Sequence, residues 1–121
     1  MDNWSQDPDR AQKFSDARLA AFQRGDVKTV IGMYRDDAVI VTPQGNVQGA
    51  AIAAMMTALF DEFAQPGVSF ELISRSSDGD VANFTWRATT HKTQYDLCAE
   101  AYVLKDGKIA VQTFAGLIHP R

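Results

Sequence analysis

A single change of period restricts this fold more than any other feature. Up to Phe63 the apolar residues recur at helical spacing, interrupted by one short strand, and beyond the Pro66-Gly67 break they alternate in successive runs. Helices come first and strands second, which argues for an α+β domain rather than a parallel sheet of βαβ units.

The first helix is predicted to start at Asp7-Pro8, where an aspartate can cap free amides and proline fits the first turn, and to run to Gly25. Ala11, Phe14, Ala17, Ala21 and Phe22 form its apolar stripe, with Arg18 near the centre. Asp26 is placed to cap a second helix carrying Val27, Val30, Ile31 and Tyr34 before Asp36 and Asp37 end the pattern. A short strand follows at 38–42. Pro43 to Asn46 then carry turn chemistry, and Val47-Gln48 resume briefly. From Gly49 to about Phe63 a third helix presents Ile52, Met55, Met56, Leu59, Phe60 and Phe63 on one face.

Four alternating runs close the chain, at 68–76, 81–91, 94–105 and 108–118, with turns at Ser77-Asp78-Gly79-Asp80, near Lys92-Thr93 and at Asp106-Gly107. In the second run Ala82, Phe84, Trp86 and Ala88 share one face, the inward one. A curved sheet wrapped around the helices is the compact solution. It leaves a concavity against the first helix, the usual form of a small-molecule site.

At 121 residues the chain reads as a single domain, 1–121, able to bury roughly two-thirds of its unfolded surface without staples. A net charge of -3 gives no electrostatic reason to bind nucleic acid. The one cysteine, Cys98, has no intrachain partner, and the amino-terminal residues lack a leader's basic and apolar regions, so a cytoplasmic setting is expected. No run approaches the roughly 18 apolar residues of a membrane helix.

The stretch FQRGDVKTVIGMYRDDAVIVTPQG (22–45), then VQGAAIAAMM and the closing YVLKDGKIAVQTFAG, resembles the SnoaL-like, or NTF2-like, superfamily that includes ketosteroid isomerase. The resemblance covers essentially the whole chain. It implies a cystatin-like fold, in which a curved antiparallel or mixed sheet wraps three helices from the amino-terminal half around a cone-shaped pocket. It also implies a dimer and no cofactor. Isomerases, cyclases, dehydratases, epoxide hydrolases and non-catalytic modules all share that fold. Laid on the ketosteroid isomerase pattern of an aspartate base, a tyrosine and a protonated aspartic acid, this chain has Thr42 at the base position, Arg18 at the tyrosine position and Glu100 on or beside the second acid. A threonine hydroxyl cannot take a proton at neutral pH without its own base, so the familiar isomerase triad is not expected. Thr42 is expected instead to hydrogen-bond a ligand or a backbone group.

Arg18 and Glu100 are the candidate catalytic pair. Both are expected to point into the concavity and face each other as a guanidinium–carboxylate pair, which would lower the Glu100 pKa. The alternative is that Arg18 runs past the helix edge and Glu100 reaches solvent. Tyr34, Met56, Trp86, Tyr102 and Phe114 are ligand-lining candidates, with ordinary core packing the competing reading for the large apolar ones. His91 and His119 stand 28 positions apart without partners at ligand spacing, so no metal site is expected.

Two functions remain open. One is a cofactor-free isomerase, dehydratase or cyclase acting on a small apolar carbonyl-bearing molecule by acid–base catalysis. The other is a non-catalytic ligand-binding or dimerisation module. Val111, Thr113, Ala115 and Leu117 form a neutral stripe opposite Gln112 and Phe114, a face for a second subunit in a homodimer.

Overall fold

The computed structural model describes residues 9–121. Its elements are α1 (Arg10–Gln23), α2 (Val27–Gly32), β1 (Tyr34–Thr42), β2 (Gly45–Gln48), α3 (Ala50–Phe63), β3 (Ser69–Asp78), β4 (Val81–Thr89), β5 (Thr93–Lys105) and β6 (Lys108–Pro120). The expected helix start at Asp7-Pro8 lies outside the described residues. One sheet holds every strand in the order β2-β1-β6-β5-β4-β3. β3 to β6 form an antiparallel meander, and β1 lies parallel to β6, so the sheet is mixed. Bulges at Leu72/Ser74, Trp86/Ala88, Tyr95/Leu97 and Val103/Leu104 mark the places where extra residues bend the strands. The result is a curved open sheet folded over three helices.

Local chemistry accounts for most of the boundaries. The Asp26 side chain accepts from the Thr29 amide at 3.2 Å and starts α2. Asp106 and Gly107 both take positive φ, 53° and 80°, the backbone that a two-residue hairpin between twisted strands requires. Tyr34 departs from expectation. It opens β1 rather than closing the second helix, and the strand begins at residue 34 instead of 38. The cause is pairing: Tyr34 aligns with Ile109 of β6, and the Ile109 amide donates to the Met33 carbonyl at 2.8 Å. A six-residue helix has little cooperativity with which to hold its last residues against that ladder.

α1 buries Ala11, Phe14, Arg18 and Ala21, so the arginine does occupy the inward stripe, while Ala17 is exposed. On α3 the apolar face is divided. Ile52, Met56 and Phe60 are buried in the core, whereas Met55, Leu59 and Phe63 flank them and remain partly accessible. That division places part of the helix against packed protein and part against open space. Among the described residues no helix is long and apolar enough to cross a membrane.

Candidate functional site

The open space is a cavity of about 700 Å³ between α1, α3 and the inner face of the sheet. Of the residues expected at a site, Arg18, Thr42, Met56, Trp86, Glu100, Tyr102 and Phe114 line it, and Tyr34 does not. Tyr34 is buried behind the wall because its strand carries it between Arg18 and β6. Its walls are otherwise largely apolar, with Phe22, Phe63, Phe70 and Phe84 contributing.

Arg18, Gln112, Glu100 and Trp86 of the wall, with Tyr34 behind it, form one hydrogen-bonded chain. Arg18 Nη2 donates to the Tyr34 hydroxyl at 2.9 Å, and that hydroxyl donates to Gln112 Oε1. Gln112 Nε2 donates to Glu100 Oε1 at 2.8 Å, and Trp86 Nε1 donates to Glu100 Oε2 at 2.7 Å. After leaving α1 the chain crosses β1, β6, β5 and β4, which are consecutive neighbours in the sheet. Tyr102 is registered opposite Gln112 and Cys98 opposite Trp86, so both links to Glu100 are diagonal ones, within reach of long side chains.

The direction of these bonds is forced. A guanidinium and an indole N–H can only donate. Arg18 therefore fills the Tyr34 oxygen, Tyr34 turns its proton to the Gln112 carbonyl, and the Gln112 amide is left facing Glu100. Glu100 is the common acceptor at which both ends meet.

The expected direct Arg18–Glu100 pair is thus not formed. Tyr34 and Gln112 stand between the two charges, and the guanidinium lies over the Tyr34 and Tyr102 rings at 5.3 and 5.8 Å from their centroids. The alternative, Arg18 escaping to the surface, fails too, since the residue is 6% exposed. Arg18 keeps its charge, because Tyr34, Glu100 and Tyr102 together outweigh the opposing effect of burial. Nη1 of Arg18 and the Tyr102 hydroxyl are buried without a well-formed hydrogen bond, although Ser15 lies near the latter.

Glu100 also reverses an expectation. Its pKa is raised, not lowered: burial dominates over the attraction of Arg18 and the hydrogen bonds from Trp86 and Gln112. An arginine held off by two intervening side chains cannot offset desolvation as a touching one would. Thr42 resolves toward the backbone, its hydroxyl donating to the Gly45 carbonyl at 2.8 Å and accepting from the Gln44 amide at 3.1 Å. Cys98 is fully buried, and burial followed by the nearby Glu100 charge pushes its thiol up to about 12.

Two participants escaped the sequence reading. Gln112 is 3% exposed on the inward face of β6, and a polar residue in phase with Phe114 was itself the signal that a partner was needed. Glu62 lines the cavity from α3. It lies seven positions after Met55 and beside Phe63, on the helical face that the cavity exposes.

The SnoaL-like domain family model matches residues 16–112, and the chain belongs to that family. Solved structures agree on the fold. A protein from Kribbella flavida DSM 17836 superposes with a TM-score of 0.76 at 19% identity, covering 90% of this chain and 88% of that one. SalBIII, an epoxide hydrolase/cyclase-like enzyme in pyran ring formation of the polyether salinomycin, gives 0.75 at 16% identity, with 93% and 96% covered. An LEH-like epoxide hydrolase of M. tuberculosis gives 0.66 at 17% identity, with 91% and 84% covered. No curated protein matches the chain closely in sequence.

The Glu100 shift carries a stability signature. A carboxyl whose folded pKa lies above its unfolded value binds its proton more tightly in the folded state. The stabilisation is complete below the unfolded value, about 4.3, and is lost as pH rises through the folded one. Asp26, Asp37, Glu62 and Asp80, whose pKa values are lowered, act in the opposite sense at more acid pH. Urea unfolding of wild type and Glu100→Gln across roughly pH 5 to pH 8 isolates the term. The variant is expected to gain stability relative to wild type as pH rises, and parallel curves would contradict the raised pKa.

Proposed function

We propose that this SnoaL-like protein is a cofactor-free acid–base enzyme whose cavity binds a small, mostly apolar, oxygen-bearing molecule and whose Glu100 supplies it a proton. The observation that carries this reading is the state of Glu100. It sits on the cavity wall with its pKa raised by burial, and both neighbours that hold it are donors that cannot accept its proton. The proton is therefore left for an oxygen in the cavity. Once given up, the negative charge remains beside Trp86 and Gln112 and within the field of Arg18, so the ionised product of the step is supported in place.

A carbonyl or ether oxygen suits such a donor, since enolisation of a ketone and opening of an epoxide are both assisted by a proton at that kind of atom. Two fold neighbours are named for pyran ring formation and for epoxide hydrolysis, chemistries in which an acid at a ring oxygen would serve. Binding without turnover is the second reading. It is favoured by Thr42, whose hydroxyl at the expected base position is engaged by the turn backbone.

Turnover of a panel of apolar ketones and epoxides, followed by mass spectrometry, separates the two. Glu100→Gln is expected to lose about 100-fold or more in rate while still binding. Unchanged turnover in that variant contradicts the acid role, and binding without any product by wild type favours the module.

The outer face of the sheet is the proposed seat of a second copy. Val81, Leu97, Val103, Val111 and Leu117 are exposed there, Leu117 at 61%, on strands β4, β5 and β6 that lie side by side. Sedimentation is expected to give twice the 13.3 kDa chain mass, and Leu117→Glu to return it to one chain. A wild-type monomer would exclude the assembly.

A further inference from the structure

The cavity has a second polar pole, and it differs in kind from the first. Glu62 projects from α3, its side chain only 9% exposed. Its Oε2 accepts from the Thr90 hydroxyl at 2.6 Å and from the Tyr95 hydroxyl at 3.0 Å. Burial works against its charge, but these bonds, a further one from Thr93 and the charge of Lys92 hold its pKa below the ordinary value.

Oε1 is less well provided for. Lys92 Nζ approaches it to 3.9 Å, beyond hydrogen-bond distance, on a side chain that is 62% exposed. Arg121 directs its guanidinium to the Thr90 carbonyl at 2.7 Å instead. This carboxylate lines a ligand cavity, and its Oε1 has a long ion pair with Lys92 in place of a short charged hydrogen bond, so it keeps acceptor capacity.

Tyr95, which donates to Glu62, begins a run of neighbouring aromatic rings on the cavity wall. Phe63 lies 5.7 Å from Tyr95 and 6.2 Å from Trp86, and Trp86 lies 5.3 Å from Tyr95 and 5.7 Å from Phe70, centroid to centroid. All four line the cavity with Glu62. A carboxylate among aromatic faces provides both parts of an ammonium site, since the rings attract the cation and the carboxylate accepts its hydrogen bonds.

We infer that Glu62 and these rings form a subsite for a protonated amine, so that the ligand is an apolar molecule bearing an ammonium group. This rests on the cavity being a ligand site but not on proton transfer by Glu100. A neutral hydroxyl would hydrogen-bond Oε1 yet leave its charge to the long ion pair with the exposed Lys92.

Isothermal titration with 4-phenylbutylamine, 4-phenyl-1-butanol and 4-phenylbutyrate tests the inference on the full chain. The amine is expected to bind about tenfold or more tighter than the alcohol, and the carboxylate weakest. Glu62→Gln keeps an acceptor for Thr90 and Tyr95, and should erase the amine's advantage while leaving the alcohol's affinity in place. Lys92→Met, at an exposed position, should tighten the amine by removing its competitor. Equal affinity for amine and alcohol, a preference for the carboxylate, an unaffected amine in Glu62→Gln, or no binding by any probe would each overturn the ammonium subsite. None of these outcomes bears on whether Glu100→Gln loses turnover.

Discussion

A carboxyl buried beside an apolar cavity is costly if ionised and unsupported, and the arrangement around Glu100 is organised by that cost. The remedy here is neither a touching arginine nor exposure to water. Trp86 and Gln112 hydrogen-bond the two oxygens, and Gln112 is oriented by Tyr34, which is oriented in turn by Arg18. The two ends, Arg18 and Trp86, can only donate, and both series of bonds run toward Glu100. Its members come from five different elements, and any of them displaced would leave the next with a buried polar atom unpaired.

That arrangement sets the balance between acid and base. Direct contact with Arg18 would have pulled Glu100 toward a permanently ionised carboxylate, a weak proton donor or acceptor at neutral pH. Separation by two side chains lets burial dominate while the positive charge remains close enough to matter when the proton leaves. Glu62 shows the opposite outcome within the same cavity. Two hydroxyl donors and a nearer solvent boundary keep it ionised. The two carboxyls of one cavity thus have pKa values pushed in opposite directions.

Most of the fold was legible in the residues. The switch of period at Pro66-Gly67, the Asp26 cap and the Asp106-Gly107 turn are local signals, and the helices, hairpins and family resemblance that followed from them are found in the structure. Tyr34 was misplaced because its helical spacing is local information, whereas its pairing with Ile109 joins residues far apart in the chain. The same distinction separates what was seen of the site from what was missed. Arg18 in an apolar helical stripe and Glu100 on an inward strand phase marked themselves as buried charges. Whether they touched depended on diagonal register between β1, β6 and β5, which no single segment encodes.

The Glu100 carboxyl is held above the ordinary glutamate value because burial outweighs its partners. It can be followed directly by carbon-13 NMR on glutamate-labelled protein, assigned by the signal that Glu100→Gln removes. A midpoint displaced clearly above the ordinary glutamate range is the expected result. A midpoint within or below that range would mean that Arg18 and the two donors prevail over burial, and the proposed proton donor on the cavity wall would be lost.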